Sequence, residues 1–422
     1  MVDTRSERRF RDPFPRWSLL IALASVLAAF AVVLSGQASS MLQRVEQFYG
    51  DVRTSLLSDR LFADHPDIVL VSVGENVDAT RSTFGQKAEL DRARLARLIE
   101  IIDDAAPRAI GIDVPFAGAT DPVKDASLQR ALREAKARVV FGVRDEAGGG
   151  NPERRAFSDR YIAGTGRAVG HIASLYEGDR VTRYDSGALA LSRTPDRFAV
   201  LMARALRPEV RRNFGRIAWL QKVDPNGWVT RWVNVAAQQP FRLFYGEEIV
   251  DNTKALPVRA LAGRLVMISS GFSEVERHRT PLTVMTGEAV PAIQVQAQAV
   301  AQLLDDRGVG ELPPRTSRML LFTLAVLAGI VGWYRGLRTS ILGWLAALVA
   351  LIAVDVFAYS WLGLVLPAVQ MIVAWFLGEA AGRSLRRILA WEETNGRPWP
   401  LEDSGEAGLF DTGPASERKE QT

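Results

Sequence analysis

The sequence predicts an α/β extracytoplasmic domain, with a mostly parallel sheet flanked by helices, attached to four transmembrane helices. Three observations carry this reading. Between Asp67 and Val143, apolar runs rich in β-branched residues alternate with stretches of helical periodicity, the pattern of βαβ units. Four long apolar runs bracket a large polar region, one before it and three after it. Arginines gather at one set of the ends of those runs.

Residues 1–16 form a leader with Arg5, Arg8, Arg9, Arg11 and Arg16, which marks it as cytoplasmic. Trp17–Leu34 is the first membrane helix. Gly36-Gln37-Ala38 follows it with small residues. The apolar run nevertheless exceeds the roughly 7–15 residues of a cleaved signal peptide, so it reads as an uncleaved anchor. Residues 35–318 then form the extracytoplasmic domain. Met41, Leu42, Val45, Phe48, Tyr49, Val52 and Leu56 recur at helical spacing and predict an amphipathic stalk at its start.

Asp67–Val73 is a continuous apolar run whose length suits a strand buried on both faces. Glu89–Ala105 is a helix, Arg108–Asp113 a second buried strand, Lys124–Ala137 a helix and Arg138–Val143 a third strand. Ala147–Arg155, with three consecutive glycines and an Asn-Pro, predicts a flexible loop. Strand character returns at Ala168–Ser174, Arg180–Tyr184, Arg216–Leu220, Trp228–Val235, Phe241–Tyr245 and Arg264–Ser269. Helices are predicted at Pro195–Leu206 and Pro291–Leu304.

Three apolar runs close the chain: Met319–Tyr334, Ile341–Tyr359 and Trp361–Leu377. Each approaches the roughly 20 residues that a bilayer core demands. Arg335-Gly336-Leu337-Arg338 separates the first two, and a turn at Ser360 the last two. Residues 378–422 form a cytoplasmic tail, helical at first over Ser384–Trp391 and then polar and disordered. Arg335, Arg338, Arg383, Arg386 and Arg387 place both termini in the cytoplasm and the large domain in the periplasm of a bacterial inner membrane. Arg315 and Arg318 run against that bias, which a long translocated domain tolerates.

At 422 residues the chain has room for two or three domains, and its net charge of +4 is small. The arginines are scattered, which argues against a nucleic-acid partner. With no cysteine, disulfides, thiolate metal sites and cysteine nucleophiles are excluded. No G-x-S-x-G elbow is present, and His65, His171 and His278 lack metal-ligand spacing. Gly164-x-Gly166-x-x-x-Gly170 precedes a strand instead of following one, so it does not form a phosphate cradle. The chain therefore reads as a non-enzyme with no cofactor.

Several pieces in order resemble the second class of CHASE domains, the cyclase- and histidine-kinase-associated sensory extracellular domains. They are Ile68-Val69-Leu70-Val71-Ser72-Val73, Arg92, Ala109-Ile110-Gly111-Ile112-Asp113-Val114-Pro115-Phe116, Asp125 with Leu128, Leu261–Ser269, Thr280-Pro281-Leu282 and Val290–Ala297. The layout of one membrane helix, a domain and three membrane helices fits as well. Gly74 before Glu75, Gln296 before Ala297, and Glu276 depart from the family's usual residues. The resemblance implies a signal sensor that binds an unknown small extracellular ligand. It also implies a homodimer. Here no output domain is expected within the chain, so a separate signalling protein would act as its partner. A membrane scaffold whose periplasmic domain binds another protein, and a periplasmic hydrolase, are the alternatives.

In open parallel sheets ligands bind beyond the carboxyl ends of the strands. Those positions hold Glu75, Asn76, Asp113, Ser269, Ser270 and Gly271, candidates for a polar cleft. Glu75 and Asp113 offer oxygen ligands to a hard cation. The competing role for all six is capping and loop anchoring. Asp355 lies inside the third membrane helix, where a carboxylate is costly and a functional candidate. Gln370, or carbonyls loosened by Pro367, are its expected partners. Gly332-x-x-x-Gly336 predicts close packing of a membrane helix.

Overall fold

The computed structural model describes residues 20, 23–27, 40–73, 91–116, 118–143, 152–172, 174–176, 181–185, 196–210, 216–223, 239–252, 258–270, 277–334 and 340–395. The chain divides into two units. The larger spans Arg44–Leu312 together with Val354–Leu366; the smaller takes the remainder, including Pro313–Ala353 and Pro367 onward.

The larger unit is built on a six-stranded parallel sheet. Its strands are β2 (Ile68–Val73), β3 (Ala109–Asp113), β4 (Arg138–Val143), β5 (Ala168–His171), β9 (Arg242–Tyr245) and β10 (Leu265–Ser270), in the order β5-β4-β3-β10-β2-β9. The predicted alternation holds from β2 to β4, and the structure extends it by one more helix to β5. Helices α2 (Arg92–Asp104), α3 (Pro122–Glu134) and α4 (Pro152–Ala163) link consecutive strands. β10 enters between β2 and β3, a late insertion that no local pattern announces. Both faces are covered, which is why the central strands are apolar throughout. Val69, Val71, Ile110, Val139 and Val266 pack under α2, α3 and α4. Ile68, Leu70, Val140, Leu265 and Met267 pack under α5 (Phe198–Leu206) and α7 (Ala292–Leu304).

Local chemistry sets the helix starts. α2 begins at Arg92, later than the periodicity suggests. The Asp91 carboxylate caps it by accepting from the Ala93 and Arg94 amides at 3.0 and 3.3 Å. Asp121 caps α3 in the same way, with Pro122 at the first helical position. The expected loop Ala147–Arg155 is helical over its described residues. Residues 144–151 lie outside the described residues, but α4 already starts at Pro152. Its apolar side chains show no helical period, which hid it from sequence reasoning. The expected strand Trp228–Val235 also lies outside the described residues.

Two strand glycines let α5 lie close on the sheet. A Cβ at Gly111 would meet the Phe198 ring at 2.7 Å, and one at Gly170 would meet the Phe198 backbone at 2.5 Å. Gly170→Ala is therefore expected to destabilise the domain by about 1–3 kcal/mol, because the obstructing atoms are backbone. Denaturant unfolding would measure this. Gly111→Ala should cost less, since the flexible Met202 supplies part of its contact.

In the smaller unit α8 (Pro314–Tyr334) and most of α9 (Ser340–Leu362) are long and apolar enough to cross a membrane. Phe322, Ile330 and Leu345 stay exposed on them, an apolar surface suited to lipid. The first predicted membrane helix is described only at residues 20 and 23–27, which are helical. The turn expected at Ser360 lies elsewhere, because α9 continues through Ser360 to Leu362. The chain breaks at Gly363, whose φ is +59°, and Leu364-Val365 pairs in parallel with Gly310-Glu311. Pro367 then precedes α10 (Ala368–Asn395), which carries the expected extension past Ser384–Trp391.

α8 and α10 approach to backbone contact. A Cβ on Gly378 would strike the Ala325 carbonyl, one on Gly382 the Gly329 carbonyl, and one on Gly332 the Glu379 carbonyl. Gly332 thus takes part in close packing, whereas Gly336 lies outside the described residues. Glu379 is fully buried and pairs with Arg383 one turn on. Arg383 in turn stacks over Trp344, 5.3 Å from its ring centre.

Candidate functional site

At the carboxyl ends of four adjacent strands the register aligns Tyr245, Ser72, Ser269 and Asp113 in one row. Leu243, Leu70 and Met267 face α5 and α7, so residues two further along point the same way. Ser72, Ser269 and Asp113 are all buried. The Ser72 hydroxyl has no hydrogen-bond partner among the described residues. Asp113 and Ser269 are therefore neighbours. Ser72 and Asp113 stand two strand spacings apart, about 10 Å. Ser270 pairs with Val73, and its side chain lies outside the described residues. Glu75, Asn76 and Gly271 also lie outside them. Ser72 and Tyr245 were missed by sequence reasoning. The available signal was a hydroxyl at the end of an otherwise apolar strand.

No group of three or more potential metal ligands occurs among the described residues. The histidines lie apart. His65 approaches Asp305 at 3.4 Å, His278 meets the Thr182 hydroxyl at 3.1 Å, and His171 ends β5.

A second constellation joins the stalk to the end of α9. The stalk is α1 (Ser40–Leu57). Asp51 and Arg53 stand about 200° apart around it and reach different elements. Asp51 accepts two bonds from Arg183, Nε to Oδ1 at 2.7 Å and Nη2 to Oδ2 at 2.6 Å, with both side chains buried. This bidentate geometry is the strong form of the pair. Arg53 donates from Nη1 to Asp355 Oδ1 at 2.5 Å, and the Tyr49 hydroxyl donates to Oδ2 at 2.9 Å. The Leu366 amide adds a third donor to Asp355. Arg53 also stacks over Tyr359 at 5.0 Å. Burial, and then the Asp355 charge, push the Tyr49 phenol well above its ordinary value. Sequence reasoning pointed to Gln370 or to carbonyls near Pro367 as partners of Asp355. The donors come instead from the stalk and from the amide just before Pro367, through contacts 306 and 302 residues apart. Gln370 is half-buried near the start of α10.

A third buried ion pair ties α2 to α3. Arg92 donates to Asp125 at 2.5 Å and to the Gly118 carbonyl. Its guanidinium lies 4.7 Å from the Tyr161 ring centre, with Phe116 and Phe157 also in range. Burial raises the Asp125 carboxyl, but the Thr120 and Arg92 bonds outweigh it and hold the group below 3.8.

The larger unit is thus a parallel α/β domain with a polar row at its strand ends and a stalk held by buried ion pairs, in a chain with two described helices long and apolar enough to cross a membrane. The family model of the CHASE2 domain matches residues 24–334. The chain belongs to this family of extracellular sensory domains. No curated protein matches it, and no solved structure does.

Proposed function

We propose that this protein is a multi-pass sensor of the bacterial inner membrane. In this reading its large domain lies in the periplasm, four helices cross the bilayer, and both termini are cytoplasmic. It binds a small extracellular ligand, performs no catalysis, and passes its signal to a separate protein as a homodimer. The observation that carries the reading is the buried Arg53–Asp355 pair, reinforced by Tyr49. It fixes the stalk, which also holds Arg183 of the domain through Asp51, to the last turns of an apolar helix. A shift of the stalk would then move the helix with it. For such transmission the ligand must favour one arrangement of stalk and helix over the other, since equal affinity for both moves nothing.

Topology fusions test this. Alkaline phosphatase fused after Asp251 is expected to be active, and a fluorescent protein fused after Asn395 is expected to glow in the cytoplasm. An inactive phosphatase at Asp251, with activity only from cytosolic reporters there, would overturn the reading.

A further inference from the structure

The proposed sensor reading leaves its ligand site open, and a cavity in the larger unit offers one that the strand-end positions did not suggest. The cavity holds about 470 Å³ and lies between the edge strand β9, the start of α7 and the short strand β8 (Leu220–Lys222). Its volume falls in the usual range for small-molecule sites, roughly 300–1,000 Å³. Trp219, Phe241 and Tyr245 line it. The first two are almost fully buried, so they form fixed walls.

Gln221, Gln239, Gln294 and Gln298 supply the amides of the lining, and two of them are held by neighbouring groups. Gln298 is held by the Leu220 amide and carbonyl, both at 2.8 Å. Gln221 donates to the Ser55 carbonyl at 2.7 Å and to the Ser58 hydroxyl at 2.6 Å. Gln239 Oε1, by contrast, is buried with no hydrogen-bond partner among the described residues. A buried acceptor without a donor is costly, and a bound solute supplying one would remove that cost. The charged side chains on the cavity are Arg277 and Glu288, one of each sign and both exposed. An ion inside would thus lose its hydration without gaining a buried counter-charge.

We infer that this cavity is the ligand site and that it takes an uncharged, ring-bearing solute with a hydrogen-bond donor. The aromatic walls take the ring, Gln239 takes the donor, and the neutral interior rejects ions. The inference rests on the sensor reading and adds a route for the signal. Ser55 lines the cavity and lies on the stalk helix, one turn beyond Asp51. A bound solute therefore touches the helix that carries both buried ion pairs.

The test uses the full chain in lipid nanodiscs and saturation-transfer NMR. The probes are 4-hydroxybenzamide, indole and N-acetylglucosamine, set against the charged 4-hydroxybenzoate and 4-hydroxybenzamidine. At least one neutral probe is expected to bind with a dissociation constant on the order of 1 mM, typical of so small a compound. Gln239→Leu should weaken the donor-bearing probe about tenfold. Ala289→Trp, which fills the cavity, should abolish binding. Because Gln239→Leu nearly conserves volume, it keeps the test decisive if the tryptophan variant does not fold. Binding of the charged probes as tightly as the neutral ones would overturn the assignment. So would binding unaffected by Gln239→Leu, or silence from all three neutral probes. Binding and topology fail separately: reversed fusions would remove the periplasmic sensor while leaving binding measurable.

Discussion

Arg53→Ala is expected to destabilise the domain by about 3–5 kcal/mol, the cost of breaking a buried ion pair from one side. Asp355 is completely buried, and the Arg53 side chain is nearly so. Among the described residues, removing the guanidinium leaves the carboxylate with the Tyr49 hydroxyl and the Leu366 amide. It also removes the cation from the Tyr359 ring. Thermal unfolding in detergent micelles would read the loss. Tyr49→Phe should cost about 1 kcal/mol, one hydrogen bond to a group that retains its ion pair. The double variant Arg53→Met with Asp355→Leu should recover most of the stability, since an apolar pair of similar size avoids the desolvation of both charges. If the proposed transmission is right, that double variant is stable yet silent to ligand. A double variant as unstable as Arg53→Ala would show that shape, and not the paired charges, sets the contact.

Arg92→Ala is expected to cost a similar amount, about 3–5 kcal/mol, within the sheet domain. The guanidinium is buried among Phe116, Phe157 and Tyr161, so its loss also opens a cavity between aromatic rings. Arg92→Lys should recover only part of this, because an ammonium cannot reproduce the planar fork that reaches Asp125 and Gly118 together. The pair also fixes an acid dependence. The Asp125 carboxyl is held below its ordinary 3.8 in the folded state. A depressed carboxyl adds stability that is full above the unfolded value and is lost as pH falls through the folded one. Stability should therefore decline below about pH 4. Asp125→Asn should flatten that part of the profile while lowering stability at neutral pH. Denaturant midpoints measured from pH 7 to pH 2.5 would separate the two effects.

Much of the architecture was legible because it depends on local pattern. Continuous β-branched runs gave β2, β3, β4 and β10 to within a residue or two, since strands buried on both faces need apolar residues at every position. Arg92 and Asp125 are picked out by the family resemblance alone, and they prove to be partners 33 residues apart. What escaped was whatever no single segment encodes. α4 buries Tyr161 and Ile162 without a regular period. Gly329, Gly378 and Gly382 looked like ordinary small residues until α8 and α10 brought their backbones together. Of the glycines at this contact, the sequence pattern points only to Gly332.

The sequence by itself determined the alternating strand-helix body, the apolar helices after it and the cost of a carboxylate at Asp355. Each follows from side-chain hydrophobicity read along the chain, which local windows capture. Tertiary structure alone decided who answers that carboxylate. It turned Arg53, a stalk residue without a distinguishing pattern, into its counter-ion from 302 residues away. It also gathered Ser55, Trp219, Gln239 and Tyr245 around one cavity. Such pairings depend on how elements close on one another in space, and a buried charge or an unpaired amide shows its partner only once the backbone between them has folded.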